Sequence, residues 1–492
     1  MDFLDPRKRR THTIRLMVGY VLVAIAIGLG GWLLLKAASG YGVDPKTGDI
    51  VQNGLLFVGS KPGGADIYIN DNLQGAQTSA RLILPAGNYK LTLKKDGYRT
   101  WERSITLNEG SVARYVYPFL FPVEPQPQTI KEYTKTPPLI TQSPDRRWLL
   151  VQRPASSSGS MTFDEFDTAN LTKQPRALVF PSGLLTSLTS STLKEVEWST
   201  DNKHLLLRHS FKGGNEFIIF NRDIPAESIN VNRLFDISPT EVALRDKKID
   251  QLYVFLQNGG QLQVANTANS VVTPLLKGVL AFKPSSSNLI SYVTSQNAPS
   301  GQVIARIWDD SQSYALYTFR VGNSYLVDEA QFQGHWYYLA GSNTDERVNV
   351  YKDPLGSLKN PAIGRAVPLL SLNIIEATKV SFSSNTRFIA AEAGQKLAVY
   401  DLETQSIYRY TLENPLADIL RWMDGHRLIG ATNGRVFVTD YDSTNQQTLV
   451  PTNYSGGGFF DPNYEQLFTT AVSKTGVVLQ RVDMRAGVDL PR

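Results

Sequence analysis

From Ser143 onward a short unit recurs at roughly 40–50 residues, and a recurrence of that length restricts the fold more than any other feature of the chain. Each unit has an apolar residue, a polar turn with Asp or Asn, and then an apolar run. S-P-D-R-R-W-L-L-V (143–151), E-W-S-T-D-N-K-H-L-L-L (197–207) and F-K-P-S-S-S-N-L-I-S-Y (282–292) are three such units. F-S-S-N-T-R-F-I-A (382–390), W-M-D-G-H-R-L-I-G (422–430) and F-D-P-N-Y-E-Q-L-F (460–468) continue the series. Weaker units centre near Leu252 and Trp336. A unit of a few short strands cannot bury its faces alone, so neighbours must stack, and the spacing predicts a β-propeller of seven or eight blades over 140–492. Trp198, Phe282, Phe382, Trp422 and Phe460 take similar places in their units and are the expected inter-blade core.

The N-terminal region has a different character. Leu16 to Leu35 is an uncharged run bounded by Arg15 and Lys36. Twenty helical residues span about 30 Å, the thickness of a bilayer's hydrocarbon. A single transmembrane helix is therefore expected at 16–36, behind a basic cytoplasmic tail at 1–15. Arg7, Lys8, Arg9, Arg10 and Arg15 precede the run, which places the N-terminus inside the cell and the rest outside the cytoplasm. A cleaved leader is the rival, with Ala37-Ala38-Ser39 as its small-residue site, but the apolar run exceeds the ~7–15 residues of a leader core.

Charge and cysteine narrow the class. Of the 50 Lys and Arg and 45 Asp and Glu in the chain, six and two fall within residues 1–36. The remainder holds 44 and 43 and is close to neutral, so it lacks the basic footprint nucleic acid requires. There is no cysteine, hence no disulfide and no thiolate site. An exported chain of this length resting on its cores alone fits a bacterial surface protein.

After a linker expected at 37–52, the apolar period becomes two. Leu56 and Val58, Ile67 and Ile69, Leu82 and Leu84, then Tyr89, Leu91 and Leu93 alternate with other residues, and Gly-, Pro- and Asn-rich turns separate the runs. A small antiparallel sandwich is expected over 53–121. Ser60, Pro62, Gly64, Ala65, Ile67 and Ile69 form a first block, Gly75 and Thr78 a second, Leu84 to Gly87 with Tyr89 and Leu91 a third, and Lys95, Gly97 and Tyr98 a fourth. In that order they resemble the PEGA domain. Gly63 stands where the family has Glu, Asn72 where it has a turn Gly, and Ser79 where it has Pro. The resemblance implies a cell-surface or wall-associated module. The S-P-D turn at 143–145 resembles those of TolB-like and WD40-like blades, although no G-H…W-D pair recurs. Prolines 122, 125, 127, 137 and 138 suggest an extended linker at 122–139.

The chain is thus expected to be an all-β ectodomain, a PEGA-like β-sandwich and a seven- or eight-bladed β-propeller, behind a single N-terminal transmembrane helix. No catalytic, cofactor-binding or metal-binding residue is assigned, since no nucleophile elbow, phosphate loop or metal motif occurs. Trp336, Tyr337 and Tyr338 are candidate ligand-stacking aromatics, with an inner strand as the alternative setting. Turn residues Asp201, Asp401 and Asp440 are expected to cap turns. The expected function is non-enzymatic binding of an envelope glycan or protein by a membrane-anchored protein of the cell envelope. The rivals are an envelope hydrolase acting at the propeller mouth and an assembly scaffold.

Overall fold

The computed structural model describes residues 6–38, 40–43, 48, 50–154, 161–188 and 190–486. They form two compact units. One is 1–124 with 485–492, and the other is 125–484.

The first unit opens with a helix, Pro6–Ala38. Its stretch His12–Lys36 is long and apolar enough to cross a membrane, and no residue of its apolar window is buried. The unit then forms two four-stranded sheets. Ile50–Val58 pairs with Tyr41–Val43, Ala80–Pro85 and, in parallel, Val112–Tyr115. The facing sheet runs Asn72–Gln77, Asp66–Ile69, Gly87–Lys94, Trp101–Leu107. Leu56, Val58, Ile67, Leu91, Leu93 and Trp101 fill the space between them, which is the core the alternation implied. Residues of the first two motif blocks build one corner. The Thr78 hydroxyl accepts from the Ala65 amide at 2.9 Å and lies 2.6 Å from the Ser60 hydroxyl, which donates to the Pro62 carbonyl at 2.7 Å. The hairpin that follows takes positive φ at Asn70 (49°) and Asp71 (64°), not at Asn72, because a two-residue primed turn places both left-handed residues between the paired ends Ile69 and Asn72.

The second unit holds, among the described residues, eight four-stranded antiparallel sheets. We number them as blades 1 to 8: 140–179, 192–230, 241–276, 279–320, 325–373, 379–411, 421–451, and 459–483 completed by Pro127–Tyr133. Apolar clusters join the blades from the first to the seventh, and the eighth to the first. Leu150 and Phe163 of blade 1 pack with Leu205 and Phe220 of blade 2, and Leu206 of blade 2 with Val242 of blade 3. Tyr253 meets Phe282, Val293 meets Tyr338, Leu339 meets Ile389, and Leu397 meets Leu428. At the seam of blades 7 and 8, Arg421 donates to the Gly456 and Gly458 carbonyls at 2.7 and 3.1 Å. Gly457 has φ 81°, and a Cβ there would collide with the Gly430 carbonyl, so the glycine run is what lets these blades meet. Finally Phe468 and Leu479 of blade 8 pack with Leu149 and Val151 of blade 1. The sequence of contacts returns to its start: the unit is a closed, eight-bladed propeller.

The repeat is an inner hairpin. The amides of Ser143, Ser199, Ser383 and Asp461 each donate to the carbonyl five residues on, at 2.9–3.0 Å. The fourth residue of each turn, Arg146, Asn202, Thr386 and Tyr464, has positive φ. Four of the five expected core aromatics end their innermost strands, whereas Phe282 lies inside the longer strand Val279–Ser286, opposite Tyr292. Trp198 and Trp422 close the innermost strands of blades 2 and 7. The Trp198 indole donates to Thr141 of blade 1 at 2.7 Å, and the Trp422 indole to Ser381 of blade 6 at 3.1 Å. Trp198, Phe282 and Phe460 are buried, while Phe382 and Trp422 are partly so. Trp198→Ala is expected to destabilise the propeller by about 3–5 kcal/mol and Trp198→Phe by about 1 kcal/mol, since the second keeps most of the ring and loses the hydrogen bond. Denaturant unfolding of the two variants measures the difference; equal losses would show that the ring does not pack between blades.

Each of the two expected linkers contains a strand among its described residues. Tyr41–Val43 pairs with residues 50–52, but three-residue strands are too short to show a period. Pro127–Tyr133 is the fourth strand of blade 8, paired on one side with Val477–Asp483. It is an edge strand, where a proline's missing N–H costs no ladder bond. The propeller unit thus runs 125–484 rather than 140–492, and Arg485 and Ala486 join the first unit, where the Ala486 amide donates to the Tyr98 hydroxyl at 2.6 Å.

Candidate functional site

The innermost strands of successive blades touch one another, as Tyr325–Phe332 does with Val279–Ser286 and Lys379–Phe382, and so line the propeller's axis. These strands carry charge. Glu195 of blade 2 and Glu241 of blade 3 are exposed and Asp328 of blade 5 is half-buried, and all three have carboxyls pushed up, first by the crowding of the surrounding strands, which thins the water around them. Cations oppose the shift: Arg421 of blade 7 for Glu195, and Lys283 of blade 4 for both Glu241 and Asp328. Lys379 of blade 6 pairs with Glu392 at 3.3 Å. The innermost strands thus carry acids on blades 2, 3 and 5 and bases on blades 4, 6 and 7. This arrangement suits electrostatic recognition in a confined space. Asp328 and Glu329 are consecutive on a strand and point to opposite sides, so they are not a facing acid pair.

A second feature lies on the rim. A cavity of 660 Å³ opens between blades 5 and 6. Arg347 begins the third strand of blade 5, Lys396 begins the third strand of blade 6, and Arg409 lies in that blade's fourth strand. All three are exposed and line the cavity with Glu346, Tyr410 and Ile375, the last 62% exposed. Three cations and one acid beside an exposed aliphatic side chain make a place for an anionic group attached to an apolar one.

The sequence-derived candidates are not brought to either place. Trp336, Tyr337 and Tyr338 lie on the second strand of blade 5, whose two faces are both covered. Tyr337 packs toward blade 6 and Tyr338 toward blade 4, both buried, and Trp336 is half-buried against the same core as Tyr338. They correct the stacking expectation: the run of aromatics marks a strand buried on both sides, not a platform for sugars. Asp201 and Asp401 sit in turns, accepting from the Lys203 and Glu403 amides at 2.8 and 2.9 Å; Asp440 accepts from the Asn445 side chain at 2.9 Å. His204 contacts Asp201 at 2.6 Å, whereas His209 is fully buried beside Glu216 at 2.8 Å. Among the described residues no group of three His, Cys, Asp or Glu is placed to hold a metal ion. The charges of the axis and rim had one sequence signal, acids and bases inside strand-like runs such as Y-L-V-D-E-A-Q-F (325–332), but no spacing told which of them converge.

Comparison with known proteins bears on the first unit. Residues 53–119 match the family model of the PEGA domain. This segment is a PEGA domain. No curated protein matches the chain in sequence. Solved structures that resemble it include dihydro-heme d1 dehydrogenase NirN in complex with DHE, at 14% identity and TM-score 0.41, over 66% of this chain and 68% of that one. Oligogalacturonate lyase in complex with manganese matches at 9% identity and TM-score 0.40, over 74% and 98%. The Myceliophteria thermophila Cps50 (Swd1) β-propeller domain matches at 11% identity and TM-score 0.38, over 73% and 100%. Two of these are enzymes by name and the third is not, and no chemistry is carried over from them.

Proposed function

We propose that this is a membrane-anchored envelope protein whose propeller binds an anionic glycan or protein partner without turning it over. The observation that carries the reading is the rim cavity, where Arg347, Lys396 and Arg409 converge from two blades. A PEGA domain beside a propeller supports a binding or scaffold role in general. The helix supplies the anchor, since its apolar side chains are exposed along His12–Lys36 and need a lipid environment. The basic residues before it favour a cytoplasmic N-terminus, with both folded units outside.

Purified full-length protein is to be incubated with isolated cell walls and with envelope protein extract, and both retention and released products assayed. Retention without released sugars or peptides is expected. The pair Lys396→Glu and Arg409→Glu is expected to weaken retention at least tenfold, because two attractive contacts become repulsive. Unchanged retention by that pair removes the cavity as the site. The hydrolase is a second reading, and the raised carboxyls of Glu195, Glu241 and Asp328 favour it. Products released by wild type and abolished by Glu195→Gln or Asp328→Asn would establish it instead.

A further inference from the structure

We propose that the PEGA domain rests on the bilayer through the outer face of its first sheet, and that this face takes anionic phospholipid headgroups. The inference rests on the helix being a membrane span.

The reach of the chain comes first. Lys36 ends the apolar stretch, and the domain's first strand begins at Tyr41. Five residues extend at most roughly 18 Å. The nine-residue strand Ile50–Val58 is itself roughly 30 Å long. A domain held on a tether shorter than its own strands stays at the headgroup layer. Lys36 already places its ammonium 4.0 Å from the centre of the Tyr41 ring.

Topology then selects the sheet. Tyr41–Val43 is an edge strand of the first sheet, lying along the same side of Ile50–Val58 as Val112–Tyr115. The sheet joined to the span is therefore this one, with the facing sheet on the far side of the core.

Register builds the face. Leu56 and Val58 point into the core, so Leu55 and Phe57 point outward. Leu55 is flanked by Ile83 on one neighbouring strand and Val112 on the other, and Phe57 by Arg81 and Arg114. The result is two adjacent rows, Ile83–Leu55–Val112 and Arg81–Phe57–Arg114. Ile83 is 62% and Val112 54% exposed, and both arginines are exposed. Arg114 lies over the Phe57 ring at 4.8 Å. Among the described residues no carboxylate pairs with Arg81 or Arg114. On the outer face of the second sheet, by contrast, Lys90 is already paired with Glu102 at 3.0 Å and Asp71 at 3.9 Å. An aliphatic row that enters the acyl boundary beside two unpaired guanidiniums that meet phosphates is how a protein surface lies on an anionic membrane. The facing sheet also presents Lys94, over the Tyr68 ring at 4.7 Å, but Asp66, Asp71 and Glu102 offset Lys90 and Lys94 there, so that face has no net positive charge to offer a phosphate.

The cysteine-free chain permits single spin labels. Full-length protein carrying Ile83→Cys, Val112→Cys or, as reference, Leu73→Cys on the second sheet is reconstituted in nanodiscs of phosphatidylcholine with phosphatidylglycerol. Labels at 83 and 112 are expected to gain oxygen accessibility and to lose nickel-chelate accessibility at least threefold relative to the label at 73. Phosphatidylcholine alone, or Arg81→Glu with Arg114→Glu, is expected to return the label at 112 to water-like values. Protein that inserts but keeps water-like labels at 83 and 112 overturns the membrane contact alone. Spin–spin broadening at 83 in discs holding two chains overturns it in favour of a second copy. Failure of the chain to insert at all overturns the span, and this inference with it.

Discussion

A propeller chain starting at Leu139 is expected to be less stable than one starting at Pro125 by about 5 kcal/mol or more. Pro127–Tyr133 completes blade 8 from the opposite end of the unit's sequence and so closes the ring. Its loss removes Tyr133 from the core shared by blades 8 and 1. Deleting a buried large aromatic costs about 3–5 kcal/mol. Asp164 of blade 1 is also affected. Its side chain is fully buried and accepts from Tyr133 at 3.0 Å, Arg153 at 2.7 Å and Lys131 at 2.8 Å. Burial pushes the Asp164 carboxyl up, but Arg153 and Lys131 outweigh it and hold it below its ordinary value. Without the strand, two of the three donors vanish, and a hydrogen bond to a charged group contributes about 1.5–3 kcal/mol. Val477–Asp483 is then left as an open edge, so the shorter chain should also aggregate. Urea unfolding followed by tryptophan fluorescence compares the two; coincident midpoints would show that the ring holds without this strand.

Glu329→Gln is expected to flatten the fall of stability with rising pH and to stabilise the protein by several kcal/mol above pH 8. Glu329 is buried between blades 4 and 5. Burial pushes its carboxyl from 4.5 up to about 8, Ser291 opposes this, and Asp328 adds to it. Neither carboxyl oxygen makes a well-formed hydrogen bond among the described residues. A raised value in the folded state means that folding favours the protonated acid. Its contribution is complete below about pH 4.5 and is lost as pH rises through about 8, where the buried group must ionise. At about 1.4 kcal/mol per pH unit, the displacement corresponds to about 5 kcal/mol as an upper bound. Glutamine keeps the shape and stays neutral at every pH. Asp328, Glu195 and Glu241 are shifted the same way, so part of the slope should survive. Thermal melting from pH 5 to pH 9 tests this: parallel profiles for the two proteins would mean that Glu329 is already charged in the native state.

The strands, their turns and the long apolar helix were legible because each is a local matter. Leu56 and Val58 alternate because one face of a sandwich sheet is covered. The runs Leu205–Leu207 and Trp336–Leu339 do not alternate, because successive side chains enter different inter-blade cores. The turn series Ser143, Ser199, Ser383 and Asp461 repeats because each inner hairpin needs a side-chain oxygen and a left-handed residue at set offsets. What lay beyond the sequence was convergence. Nothing near Pro127 announces that it pairs with Val482, more than 350 positions away, and its prolines suggested a linker. Nor does local pattern tell that Arg347, Lys396 and Arg409 meet at one cavity, or that Arg81 and Arg114 flank Phe57. Such groupings follow from the register between strands and the packing between blades. Sequence alone therefore determined an apolar span, a PEGA domain and a blade repeat; the eighth blade, the closure of the ring and the placing of every charge were decided by contacts between residues far apart in the chain.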